Sequence, residues 1–171
     1  KLFEDKKNPG VFFISPASGI IKSINRGEKR RFISIEIEVS DEESHVEILN
    51  NNNDDILDNF SKFGVINNFR TRPFNKTPKP KDTPEDIFIN ICDTNPLSVD
   101  PYLYLQHEID LFNKSLLKLK EIFKCNIHVC YQNNNFNKFI DGINYHNFNG
   151  PHPAGLSGTH IHFIKPVGIN S

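Results

Sequence analysis

The stretch with the most concentrated chemical potential is Gly150-Pro151-His152-Pro153-Ala154-Gly155-Leu156-Ser157-Gly158-Thr159-His160-Ile161-His162-Phe163. In an extended chain His160 and His162 share a face, which suits a divalent metal; in a helix they diverge by about 200°. No carboxylate or cysteine stands beside them to complete a ligand set, so no metal is expected. The competing reading is a pair of histidines that hydrogen-bond and pack their own loop. His152, between two prolines, suits a pin that donates to a backbone carbonyl. Upstream, Arg70-Thr71-Arg72-Pro73-Phe74 offers two guanidinium groups two residues apart. That spacing suits a clamp on phosphate or carboxylate. The plainer alternative is a pair of solvated arginines flanking a turn.

These residues need a scaffold, and the second part of the chain spells one. Ile87-Phe88-Ile89-Asn90-Ile91-Cys92 is a short apolar run of the kind found in a sheet covered on both faces. Asp100-Pro101 opens a helix whose apolar face is Leu105, Ile109, Phe112, Leu116, Leu119 and Phe123. Asn126 to Tyr131 is a second strand and Gly142 to Phe148 a third. Strand, helix and strand in this order predict a right-handed βαβ unit, with residues 101–123 as one helix on a parallel sheet.

A Rossmann-like sheet raises the question of a dinucleotide. After the first strand stands Asp93-Thr94-Asn95-Pro96-Leu97-Ser98, without a glycine. The G-x-G-x-x-G turn needs glycines so that backbone N–H groups can approach pyrophosphate. Gly155-x-x-Gly158 comes after the third strand and is interleaved with prolines. There is no P-loop and no nucleophile elbow. An autonomous nucleotide-binding oxidoreductase domain is therefore the runner-up reading, and no cofactor is expected on the chain.

The first part reads as β. Val11 to Ile14 follows the turn Asn8-Pro9-Gly10, and Ile20 to Ile24 follows Ser15 to Gly19. Ile33, Ile35, Ile37 and Val39 alternate with Ser34, Glu36 and Glu38, which predicts one dry and one wet face. The acidic, asparagine-rich residues 40–54 are the linker candidate. Asp55 is placed to cap a short helix carrying Ile56, Phe60 and Phe63, with Gly64 at its stop. The expected domains are a small β module over residues 1–49 and a Rossmann-like α/β domain over 55–171.

Composition narrows the classes further. Twenty Lys and Arg against 21 Asp and Glu give a net charge of −1, without the dominant basic field of a nucleic-acid binder. No apolar run reaches the roughly 18 residues that cross a bilayer. Cys92, Cys125 and Cys130 form no CxxC pair, and buried reduced thiols are expected. The chain lacks methionine and begins with Lys1, which predicts an excised fragment. The tracts Asn50 to Asn53 and Asn133 to Asn135 read as surface loops.

Several motifs resemble known families. Phe3-Glu4-Asp5-Lys6 followed by Pro16-Ala17-Ser18-Gly19-Ile20-Ile21 resembles half of a biotinyl/lipoyl-type domain, with Lys6 at the carrier position. The other reading of Lys6 is a lysine on the solvated turn of a cofactor-free module. The histidine-rich tail closely resembles the A subunits of the bacterial sodium-translocating NADH:quinone oxidoreductases. So, in the same order, do Ile24-Asn25-Arg26-Gly27-Glu28-Lys29-Arg30, Arg70-Thr71-Arg72-Pro73-Phe74 and Asp93-Thr94-Asn95-Pro96-Leu97. This resemblance implies a peripheral subunit on the cytoplasmic face of the bacterial inner membrane, partnered by the other subunits of a sodium pump. It also implies that flavin and iron–sulfur chemistry belongs to those other subunits, and that quinone is the small molecule this chain helps to bind. A quinone headgroup has two carbonyl acceptors and calls for donors beside apolar walls. Arg70, Arg72, His152 and His160 are the candidates.

Overall fold

A computed structural model describes residues 1–44, 53–132, 136 and 139–168. The chain folds as two compact units, one of residues 1–70 with 77–80 and the other of residues 71–76 with 81–171.

In the first unit β1 (Phe3–Glu4) and β2 (Phe12–Phe13) form a short antiparallel hairpin, with Lys6 exposed on its turn. A longer ribbon follows, β3 (Gly19–Arg26) against β4 (Phe32–Val39). Its register slips between the pairs Ile21–Ile37 and Ser23–Glu36, and again between Asn25–Ser34 and Arg26–Phe32. The first slip leaves Lys22 unpaired, so that Ile21 and Ile24, three residues apart, both meet isoleucines across the ribbon. The expected dry face is only half dry: Ile33 is 56% and Val39 64% exposed. Alternation fixed which side is apolar, but too little of the unit packs against that side to bury it. Helix α1 (Asn53–Lys62) already contains Asp55 in its first turn, and the side chain expected to cap it lies outside the described residues. Gly64 ends the helix in the left-handed region, at φ 68°.

The second unit is a parallel three-stranded sheet in the order β5 (Asp86–Ile91), β6 (Asn126–Tyr131), β7 (Asn144–Asn147). The fold is thus mixed α/β with small N-terminal antiparallel strands, as expected. The crossover from β5 to β6 is helical, but the single helix expected over 101–123 is two: α2 (Tyr102–Leu105) and α3 (Ile109–Phe123). The break lies at Glu108, whose φ of −122° is not helical. It lets Tyr102 meet the Phe136 ring edge-on while Ile109, Leu116 and Ile122 are buried. Asp100 holds the start, its carboxylate accepting from the Tyr102 amide at 2.9 Å. Helix α3 packs on β6, whose Ile127 and Val129 are fully buried. The last helix, α4 (Ser157–Ile164), packs against β5.

Leu116 is 1% exposed at the centre of α3. Leu116→Ala is expected to cost about 2–5 kcal/mol through lost burial and a residual cavity. Urea denaturation followed by far-UV circular dichroism measures it, and a loss under about 1 kcal/mol would place the core elsewhere.

Candidate functional site

In open parallel sheets, ligands collect in the crevice beyond the carboxyl ends of the strands. Here the chain occupies that place itself. After β7 the Phe148 amide bonds the Tyr131 carbonyl at 2.9 Å, and the loop then crosses toward β5. The Asn90 amide donates to the Gly155 carbonyl at 2.9 Å, and the Gly155 N–H donates to the Thr94 hydroxyl at 2.9 Å. A Cβ on Gly155 would stand 2.7 Å from the Thr94 nitrogen, so only glycine fits this seat. The loop after β5 spends its own polar groups on itself: the Asp93 carboxylate accepts from the Asn95 backbone and side chain at 2.9 and 2.7 Å. The Gly155 backbone and the Thr94 side chain meet on the ground where the pyrophosphate lies in dinucleotide-binding sheets of this kind.

The crossing loop delivers α4. His160 is completely buried, and its Nε2 donates to the Ala154 carbonyl at 2.7 Å. The ring lies 4.2 Å from that of Phe148, and Nδ1 has no partner among the described residues. Burial holds its pKa below the usual 6.5, against the opposing pull of the Ala154 bond. His160 is therefore a neutral donor that ties helix to loop. His162 is exposed, as the helical period requires of a residue two positions on. The two imidazoles diverge, which matches the helical alternative and removes the shared metal face. Among the described residues no group of three or more His, Cys, Asp or Glu is poised to hold a metal.

Arg72 sits on the short turn closed by the Thr71 amide on the Lys76 carbonyl at 2.7 Å. With Pro73 it faces Gly158, Ile161, His162, Pro166 and Val167 across a cavity of about 230 Å³. Its lining joins apolar walls to one guanidinium and one imidazole. Arg70 belongs to the first unit, where its Nη1 is spent on the Asn67 and Phe69 carbonyls at 2.6 and 2.7 Å. His152 is exposed, its Nδ1 3.4 Å from the Thr94 hydroxyl. Of the four sequence candidates, only Arg72 lines the cavity. His162, which does line it, carries in the sequence only the metal reading.

Sequence reasoning also missed a buried polar chain under α4. His128 Nε2 lies 3.0 Å from an Asp86 oxygen, and His128 Nδ1 lies 3.0 Å from His146 Nε2. Lys165, just past α4, bonds the other Asp86 oxygen and reaches Glu85 at 3.0 Å. Phe88 stacks on His128 at 4.7 Å. Burial pushes the Asp86 carboxyl up, but bonds from Lys165, His128 and Asn126 outweigh it and leave the pKa lowered. Burial, then the potential of His128 and His160, lowers that of His146. One signal was present: His128 is the polar residue inside an otherwise apolar strand.

Comparison with known proteins then places the chain. Residues 51–171 match the family model described as the NqrA second alpha/beta domain, and residues 1–40 that of the NqrA N-terminal barrel-sandwich hybrid domain. The chain belongs to the NqrA family. Its relatives include the A subunits of the Na(+)-translocating NADH-quinone reductases of three bacteria. It is 41% identical over 98% of its length to that of Histophilus somni, 44% over 99% to that of Neisseria meningitidis serogroup B, and 43% over 97% to that of Yersinia pestis. It spans about 40% of the length of the first two and 39% of the third. Among the described residues no helix of this NqrA chain is long and apolar enough to cross a membrane.

His146 and His160 both have lowered pKa values in the fold, so the unfolded chain binds protons that the folded chain refuses. The stability they contribute is present above about pH 6.5 and is lost as pH falls from there toward their folded values. Melting temperature is expected to drop between pH 7.5 and pH 5, by about 2–4 °C for each 1 kcal/mol lost. His146→Gln should flatten the slope. Scanning calorimetry across this range checks it, and a melting temperature that rises on acidification would reverse the assignment of neutral imidazoles.

Proposed function

We propose that this NqrA chain acts as a non-catalytic part of a sodium-translocating NADH:quinone reductase, peripheral on the cytoplasmic face of the inner membrane and docked to the other subunits. Its small-molecule partner is quinone. The observation that carries this reading is the Gly155 loop seated in the crevice where a nucleotide would lie. Support for the whole complex's activity comes from the names of relatives much longer than this chain. In this reading NADH oxidation and flavin and iron–sulfur chemistry fall to sibling subunits.

The cavity at Arg72 is the proposed quinone headgroup site. Arg72 and His162 donate to the headgroup oxygens, and the Arg72 charge stabilises negative charge that gathers on oxygen during reduction. Pro73, Ile161, Pro166 and Val167 cover the ring. His160 acts from beneath, holding α4 so that His162 faces the cavity. Arg70 and His152 contribute by fixing their own loops. The mixed α/β sheet favours one competing reading, an autonomous nucleotide-binding domain.

Calorimetry separates the two. NADH and FMN at protein concentrations of tens of micromolar are expected to give no saturable heat. A Kd below about 100 μM for either would mean a working nucleotide site. A soluble short-chain quinone is expected to bind, and Arg72→Ala or His162→Ala to weaken it about 10-fold or more. Gly158→Leu tests the cavity without touching a donor, because a Cβ there meets nothing within 4 Å. Quinone binding untouched by all three would remove the site from this cavity.

A further inference from the structure

We propose that the tip of the β3–β4 ribbon docks on anionic phospholipid headgroups. Within six residues the tip carries Arg26, Lys29, Arg30 and Arg31 against the single carboxylate of Glu28. That leaves the tip at +3 in a chain whose net charge is −1, so the remaining residues together carry −4. All four basic side chains are exposed, and among the described residues none is paired with a carboxylate. A cluster carrying +3 over six residues is drawn to an anionic surface.

The tip is built, not frayed. The Gly27 amide bonds the Arg31 carbonyl at 2.8 Å, Arg30 N–H bonds Gly27 at 3.1 Å, and Arg31 N–H bonds Glu28 at 3.2 Å. Lys29 and Arg30 sit at φ 54° and 61°, a left-handed pair that residues other than glycine adopt at a cost. Lys29 and Arg31 border a recess of about 380 Å³ beside Glu28, wide enough for a phosphate group. Arg26 Nη1 bonds the Arg30 carbonyl at 3.3 Å, bracing the same corner. Immediately behind the charges, Ile24, Phe32 and Ile33 are 51%, 46% and 56% exposed. A rigid knob of cations backed by aromatic and aliphatic side chains has the pattern of an interfacial contact, with charges at headgroup depth and apolar groups at the acyl boundary. A protein partner would need an apolar patch set beside its carboxylates at matching spacing, whereas a lipid interface supplies headgroup charge and acyl boundary in layers by its own structure.

This inference uses only the first unit and stands apart from the quinone reading. The test is flotation of the full chain with vesicles of phosphatidylcholine, with and without about 30 mol% phosphatidylglycerol, at about 50 and 300 mM salt. Binding is expected only with the anionic lipid and is expected to fall about tenfold or more at the higher salt. Lys29→Glu with Arg31→Glu should abolish it, and Glu28→Gln should strengthen it. Because these side chains are exposed, melting temperatures should be unchanged; if the reversal unfolds the chain, Lys29→Gln with Arg31→Gln takes its place. Equal binding to both vesicles, no binding at low salt, or full binding by the substituted chain would overturn the proposal. Displacement by about 10 mM inorganic phosphate would mean a small-anion site instead. Binding to polyglutamate as tight as to the anionic vesicles would mean an acidic protein partner, and either result would also overturn it.

Discussion

The second unit depends on one close approach, the backbone of Gly155 against Thr94. At 2.7 Å from the Thr94 nitrogen there is no room for a Cβ, so a glycine here is a steric requirement. The approach brings the Gly155 N–H to the Thr94 hydroxyl and its carbonyl to Asn90. Those two bonds fasten the end of the third strand's loop to the end of the first strand. Everything after Gly155 inherits its position from them: α4 starts beside Asn90, the Ala154 carbonyl meets His160, and His162 comes to the cavity that Arg72 also lines. The same contact fills the crevice. The cavity lined by Arg72 and His162 therefore takes its place from α4, which this contact positions.

A second fastening acts at the other end of α4, and it is ionic. Asp86 is the hub, taking Lys165 from past the helix, His128 from the neighbouring strand and the side chain of Asn126. Burying a carboxylate costs free energy unless its oxygens are satisfied, and here both are. Asp86 accepts from His128 Nε2, and one proton bridges His128 Nδ1 and His146 Nε2 at 3.0 Å. Adding a proton to His146 would place a cation in a poorly solvated place beside His128 and His160, consistent with its lowered pKa.

The two units rest on different physics. In the second, Ile87, Leu116, Ile127, Val129, Cys130 and Ile143 are buried together with the neutral thiols of Cys92 and Cys125. Burial pushes the thiols of Cys92 and Cys130 up to about 12, so they behave as small apolar groups. In the first, the buried apolar side chains among the described residues are Val11 and Ile66. Its ribbon is held chiefly by backbone pairing and by cross-strand isoleucines, and an isolated two-stranded ribbon is marginal in water. Substitutions in the second unit therefore report on packing, whereas those at the ribbon tip report on charge with little effect on stability.

What could be read from the residues alone follows the range of the forces involved. Period-two and helical patterns are local, so β4, α3 and the parallel strand–helix–strand order were legible, as were the left-handed stop at Gly64 and the start at Asp100. The break at Glu108 was not, because the apolar spacing runs straight through it and the Phe136 ring that Tyr102 meets is distant in sequence. The helical geometry that separates His160 from His162 was one of two local options, and the choice was made by Ala154 and Phe148. Asp86, His128 and His146 are far apart in sequence and meet because the register pairs Cys130 with His146 and Asp86 with Asn126. Register is a sum of many weak pairings and leaves no mark at any single position. A buried polar residue in an apolar strand is the one local trace of such a chain, since desolvation without a partner would cost more than the strand could return. His128 carried that trace, and its partners could be found only by folding the sheet.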